Sequence, residues 1–318
     1  PPRAAFTLTV CFGQPTDSRF KNFARRLFDR FRSPLLRVQV VHDERWQVRQ
    51  IEHVAASALS PDEFEFFVAT LERYTRADWR PAKAKTIENH TFRFAWKAVH
   101  EGLVAIDDPV SILRCTNKVY LAELLQANRL PAPRTLILDR ESILQAEEQL
   151  GYPLVLKIPD GSFSRGVIKA NNRAELMEGA RKLLQRTELI LAQQFMYTAF
   201  DWRVGILNRQ PIFVSQYFMS RKHWQIVNHR ADGKVAEGGF KTWDVAAAPR
   251  EVVDIALKAA NLIGDGLYGV DLKQTDAGVF VIEINDNPNI DRGVEDAMLK
   301  DELYRTVLRD FVRRIEAR

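Results

Sequence analysis

A chain of 318 residues, 46% hydrophobic and 27% charged, has an ordinary globular composition and the length for two or three subdomains. It contains no apolar run of the roughly 18 residues that a membrane span needs, and its two cysteines, Cys11 and Cys115, make neither a disulfide framework nor a metal knuckle. The 46 Lys and Arg against 41 Asp and Glu give a charge of +5, but they are scattered apart from pairs such as Arg25-Arg26 and Arg313-Arg314, so a solvated surface explains them better than a nucleic-acid footprint.

The opening Pro1-Pro2-Arg3-Ala4-Ala5-Phe6 lacks the pattern of a signal peptide, and a reducing, cytoplasmic home is the expectation. Residues 1–80 read as a small α/β domain. Alternation over 5–10 predicts a half-buried strand, and Phe20, Phe23, Leu27, Phe28 and Phe31 give residues 18–31 one apolar helix face. Strand patterns follow at 36–40 and 46–51, and Ser60-Pro61 opens a further helix. No titratable cluster stands out in this domain.

Residues 81–110 read as linker and remnant, with a helix over 91–101 and a buried strand over 103–106. A third region, 111–318, starts with a helix opened by Asn117-Lys118 and stopped by Pro131 and Pro133. Elements then alternate: strand 134–138, helix 141–150, strand 153–158, loop 159–166, strand 166–170, helix 173–186 and strand 188–195.

Near the C-terminus two strand patterns flank Asp276-Ala277-Gly278, a three-residue loop with glycine where φ > 0 is wanted. Pairing Thr275 with Val279 sets a register that puts Asp271 opposite Glu283. Asn285 then shares the face of Glu283, while Val270, Leu272, Ile282 and Ile284 bury the other. Opposed carboxylates repel, so a cation is expected between them. Two carboxylates and an amide oxygen are hard ligands suited to Mg²⁺ on nucleotide phosphates.

Lys157 ends an apolar strand immediately before Asp160-Gly161-Ser162-Phe163-Ser164-Arg165-Gly166, a loop whose backbone N–H groups could cradle phosphate. This is no Walker A, because the loop joins two strands rather than a strand and a helix. The strand 190–196 runs into Gln193-Gln194-Phe195-Met196, whose free backbone edge and last two side chains could clamp adenine, with core packing the competing explanation. Asp201 and Arg203 share one strand face, where an exposed ion pair is the bland reading.

The order and spacing of Lys118, Lys157 with its glycine loop, Gln193-Gln194-Phe195-Met196, Asp201-x-Arg203, Gly269-Val270-Asp271 and Glu283-x-Asn285 resemble the ATP-grasp superfamily over about residues 110–318. The pattern is most similar to RimK-like ligases, within a branch that carries an extra N-terminal domain. The resemblance implies an α/β (α+β) ATP-grasp fold with two α+β subdomains clamping ATP, preceded by the small N-terminal α/β domain. It implies that Asp271, Glu283 and Asn285 hold two Mg²⁺ ions, for which Mn²⁺ could substitute. Lys118, Lys157, Ser162 and Ser164 would contact phosphates, Gln194, Phe195 and Met196 the adenine, and Asp201 the ribose. Asn228 would reach toward ATP, and Arg203 would stabilise the transferring phosphoryl group. Gln194 stands where many relatives have Glu. Those relatives also place a Rossmann-like domain ahead of the central segment, so a stretch between about 80 and 90 is expected to be absent here.

The implied activity is ATP-dependent ligation of a carboxylate to an amine through an acyl phosphate, with amino acids or peptides as substrates and no membrane partner. The rivals are an ATP-grasp kinase acting on a hydroxyl and a non-catalytic ATP- or RNA-binding module. His223 is a candidate base for the incoming amine, with a structural hydrogen bond as its alternative. Oligomeric state is left open, with a homo-oligomer allowed.

Overall fold

A computed structural model of the chain describes residues 7–12, 37–43, 46–52, 92, 95–100, 102–160, 166–221, 223–229 and 235–317. They fall into two units, residues 1–106 with 299–318, and residues 107–298. In the first unit β1 (Thr7–Phe12), β2 (Arg37–Asp43) and β3 (Trp46–Glu52) form an antiparallel sheet in the order β1-β3-β2. The helices expected at 18–31 and after Ser60 lie outside the described residues.

The run 103–106 is not the buried strand its composition suggests: it is irregular and half-buried. It lies between Gly102, at φ 81, and the helix that Asp108 caps, both of which turn the chain away from an extended course. Asp108 accepts from the N–H groups of Val110 and Ser111 and, with Pro109 at the first turn, starts α1 (Pro109–Thr116). Asn117 caps the next helix, α2 (Lys118–Ala127), through Tyr120 N–H.

Two sheets make the second unit. The first contains β4 (Thr135–Leu138), β5 (Leu154–Lys157), β6 (Val167–Ala170) and β7 (Ile190–Gln194), all antiparallel in the order β4-β7-β5-β6. Helices α3 (Gln145–Leu150) and α4 (Arg173–Leu183) cover one face and share a core of Leu138, Ala146, Leu154, Leu156, Leu176, Leu183 and Ile190. The helix expected over 141–150 is helical only from Gln145, because Asp139 turns the chain by accepting from the N–H groups of Glu141 and Ser142.

The second sheet has the order β12-β9-β8-β13-β14, built from β8 (Phe200–Leu207), β9 (Gln210–Phe218), β12 (Phe240–Trp243), β13 (Leu267–Thr275) and β14 (Gly278–Asn285). A small ribbon of β10 (Val227–His229) and β11 (Val235–Glu237) lies between β9 and β12 in sequence. Asn208 and Arg209, both at positive φ, form the two-residue turn of the β8–β9 hairpin, as the twist of such hairpins requires. Helix α5 (Arg250–Ile263) buries Val252, Ala256, Ala259, Ala260 and Ile263 against Trp202, Val204, Val270, Leu272 and Ile284. In the first unit α6 (Asp301–Glu316) carries acids in its first turn and Arg313 and Arg314 in its last, the arrangement its dipole favours.

The β13–β14 hairpin corrects the expected register. Its turn is the two-residue Asp276-Ala277, and Thr275 pairs with Gly278 rather than with Val279. One residue would then be out of step at the site, but a bulge between Asp271 and Leu272 restores Asp271 opposite Glu283. The bulge also switches the buried face of β14. Val279 and Val281 are buried before it and Ile284 after it, while Ile282, expected inside, is only half-buried.

Candidate functional site

The sheet face opposite α5 carries a checkerboard of charge. Arg203 on β8 stands across from Asp271 on β13, and its Nε and Nη2 grip the carboxylate at 2.7 and 2.9 Å. Two residues along β13, Lys273 meets Asp201 of β8 at 2.5 Å and Thr198 at 2.8 Å. Thr198 also donates to Asp201 at 2.9 Å. Asp201 and Arg203 therefore do not form the exposed pair considered from sequence; each is tied to the neighbouring strand. On β14, Glu283 pairs with Lys118 from the start of α2 at 2.7 Å, and Asn285 donates Nδ2 to Asp271 at 3.1 Å.

These groups fix one another's charge. Burial opposes ionisation of Glu283, yet the Lys118 ammonium, with Lys157 and Arg203 farther off, holds its carboxyl below the usual value. Burial dominates at Asp201 and raises its carboxyl despite Lys273. Arg203 is half-buried as well, and Asp271 more than offsets that cost by holding the guanidinium protonated.

The other sheet presents Lys157 toward this face. Its Nζ donates to Gln193 Oε1 at 2.7 Å, and burial draws the ammonium down to about 8. Strand β7 is not a free edge through Gln194, since it pairs with β5 and β4 on its two sides. Pairing ends there, and Phe195 and Met196 follow as irregular chain. Phe195 lies under the Lys169 ammonium, 3.9 Å from the ring centre, and edge-on to Trp224 at 5.8 Å. Neither Phe195 nor Met196 is buried, which disfavours core packing as the explanation of either. His223 Nε2 is 3.2 Å from Gln225 Oε1, the structural hydrogen bond that was its alternative role. Ser162 and Ser164 lie outside the described residues; Asn228 pairs with Ala236 through β10 and β11.

Beyond β14 the chain turns back across the sheet. Pro288 sits so close over Gly269 that a Cβ there would lie 2.7 Å from the proline's own Cβ. The Val294 carbonyl accepts from Thr242 of β12 at 2.6 Å, and Glu295, fully buried, accepts from Tyr217 of β9 and from Asp291 N–H. Residues 286–296 thus form a strap over the strands that carry Arg203, whose guanidinium packs 5.3 Å from the Tyr217 ring.

A divalent cation fits this donor set. Asp271 and Glu283 keep 21% and 29% of their side-chain surface accessible, and turning the Asn285 amide end for end would present its oxygen. Among the described residues no group of three His, Cys, Asp or Glu gathers as a metal site, so the amide and ligand oxygens would complete the shell. Sequence reasoning missed Lys273, Thr198, Tyr217 and Glu295. Period-two alternation could have found Lys273, two residues beyond Asp271 on the same face.

A model of the RimK-like ATP-grasp domain matches residues 115–301, and one of the RimK-like ATPgrasp N-terminal domain matches residues 2–70. The α-aminoadipate–LysW ligase LysX of Saccharolobus solfataricus is 27% identical over 195 residues, 59% of this chain and 67% of its own. A probable α-L-glutamate ligase of Histophilus somni is 27% identical over 60% of this chain and 62% of its own. The matched stretch is therefore about two thirds, or less, of these curated relatives. A D-alanine–D-alanine ligase from Bacillus anthracis superposes with a TM-score of 0.53 at 14% identity, covering 66% of this chain and 71% of that one. A RimK domain ATP-grasp protein from Sphaerobacter thermophilus gives 0.52 at 18%, covering 69% and 76%. At such identities the likeness shows the fold, which is ATP-grasp.

Proposed function

This chain belongs to the RimK-like ATP-grasp family, and from that premise we propose that it joins a carboxylate to an amine with ATP, taking amino acids or peptides as substrates. The observation that carries the reading is the convergence of Lys118, Arg203, Asp271, Glu283 and Asn285 at one end of two neighbouring hairpins, with Lys157 facing them. The set includes no Ser, Cys or His arranged as a nucleophile. The set suits phosphoryl transfer, where positioning and neutralised charge matter more than covalent help from the protein.

In this scheme a substrate carboxylate oxygen attacks the γ-phosphorus and ADP leaves, giving an acyl phosphate. The amine then attacks the acyl carbon, phosphate leaves, and the amine's proton passes to solvent or a nearby base. Arg203 steadies the charge that grows on the phosphoryl oxygens, while Lys118 and Lys157 hold the phosphates. Phe195 and Met196, with Gln194, receive the adenine, Asp201 lies toward the ribose, and Ser162, Ser164 and Asn228 are further nucleotide contacts. Asp271, Glu283 and Asn285 would hold two Mg²⁺ ions, or Mn²⁺ in their place, whose chemistry is to neutralise phosphate charge. A cytoplasmic setting fits the two cysteines; among the described residues no helix is long and apolar enough to cross a membrane.

The domain division proposed is an N-terminal domain over 1–80, a connecting region over 81–110 and the ATP-grasp domain over 111–318. The test of the reaction is an ADP-release screen over amino acids, acylated amino acids and peptides, with products read by mass spectrometry. ADP release that needs both a carboxylate and an amine, with a new amide formed, supports the ligase. A stable phosphorylated alcohol and no amide would overturn it in favour of a kinase.

A further inference from the structure

In the site's charged cluster the cations differ in what holds them. Lys118, Arg203 and Lys273 are each paired with a carboxylate, from Glu283, Asp271 and Asp201 respectively. Lys157 is held by a neutral amide, that of Gln193. Four cations thus face three carboxylates in this set, and the surplus charge sits on Lys157.

The amide is not free to turn. The Pro133 carbonyl can only accept, so the Thr135 hydroxyl spends its proton on it at 2.9 Å. Thr135 Oγ1 can then only accept from Gln193, whose Nε2 donates at 3.0 Å. That leaves the amide oxygen, and no N–H, aimed at Lys157. The strands make the relay rigid: Gln193 pairs with Thr135 on one side and with Val155 on the other, two residues before Lys157.

We infer that Gln193, oriented by Thr135, is a positioning residue that holds the Lys157 ammonium in place without neutralising it, so that its full charge is left for a nucleotide phosphate. A carboxylate at the same position would hold the lysine as well but would compete with phosphate for it. An apolar residue would leave the ammonium unaimed in a partly desolvated place. The inference rests on the reading that Lys157 contacts phosphate, and the two can fail separately.

The test is calorimetric titration with ATP and Mg²⁺ of the full chain and of four variants, each also unfolded in urea. Lys157→Ala is expected to weaken ATP binding about 10- to 100-fold, the scale of a lost charge-assisted hydrogen bond. Gln193→Met should weaken it about five- to tenfold, yet have little further effect in the Lys157→Ala background, because coupled residues are not additive. Gln193→Glu should weaken ATP binding while leaving urea stability equal or higher, a split that a merely structural glutamine would not produce. Unchanged ATP affinity in Lys157→Ala would overturn the phosphate reading and this inference together. A weakened Lys157→Ala beside an unaffected Gln193→Met or Gln193→Glu, or fully additive losses in the double variant, would overturn the inference alone.

Discussion

The two sheets of the ATP-grasp unit treat charge in opposite ways. The five-stranded sheet sets Arg203 against Asp271, and Lys273 against Asp201, across neighbouring strands, so its site face is neutralised from within. The four-stranded sheet puts forward Lys157, which is held by an amide that carries no charge, and Lys169, which lies over the Phe195 ring. A face already paired is preorganised, and a ligand must exchange partners on it. A cation held by a neutral amide, as Lys157 is, waits for its anion. Together they suit a ligand that is a metal ion at one end and a polyphosphate at the other.

The sharpest way to break this contrast is Arg203→Ala. It removes the charge proposed to act during phosphoryl transfer, and turnover should fall about 10²- to 10³-fold. ATP affinity should fall much less, which a comparison of ADP release with calorimetric binding would check. Equal losses would make Arg203 a ground-state contact.

Asp271→Asn attacks the paired sheet without ligand. Arg203 would lose both of its contacts to a carboxylate in a half-buried place, and stability should drop by about 1–3 kcal/mol in urea unfolding. The matching change on the other sheet, Lys157→Ala, removes a cation that burial disfavours and should leave stability level or raised.

Lys157 also makes the contrast depend on pH. Burial lowers its ammonium from 10.5 to about 8, with Glu283 and Asp201 pulling upward and Lys118 and Lys273 pushing down. Between those values the unfolded chain binds the proton that the folded chain has released, so this group makes stability rise with pH from about 8 to 10.5. ATP affinity should do the reverse and fall as pH climbs through about 8. Lys157→Arg, which stays charged, should flatten that fall in the same titration.

The smallest effect is expected from Tyr217→Phe. The ring stays against Arg203, but the buried Glu295 loses its phenol donor, and urea stability should fall by about 1 kcal/mol. ATP affinity should not move if the strap acts only on the paired sheet.

The hairpin shows how far sequence reached and where it stopped. The segment 279–284 is apolar at Val279, Phe280, Val281, Ile282 and Ile284, so period two can be counted in either phase and selects neither. The three-residue turn chosen for Gly278 gave the Asp271–Glu283 pair, but by a register that the hairpin does not use. Local chemistry was more legible: Asn117 does mark a helix start, and Lys157 does end its strand. Partners distant in sequence were not. Nothing local says that Asp201 reaches Lys273, 72 residues on, or that Tyr217 meets Glu295, 78 residues on. Those contacts come from strand order and from a strap that folds back, and neither leaves a periodic trace.

The bulge at Asp271 also has a use at the bench. Outside it, Asp276 and Ala277 are exposed. Ala277 lies six residues along the chain from Asp271, four of those steps in β13, and is thus on the order of 15–20 Å away at the usual strand rise. A dye attached at Ala277 would ride on the same strand pair as the proposed metal ligands while staying clear of them. Because pairing is reset between the tip and the ligands, a label that loosens the turn should disturb only the outer rungs. The tip is thus an insulated attachment point from which nucleotide binding at the site can be followed by fluorescence, leaving the chemistry beneath it untouched.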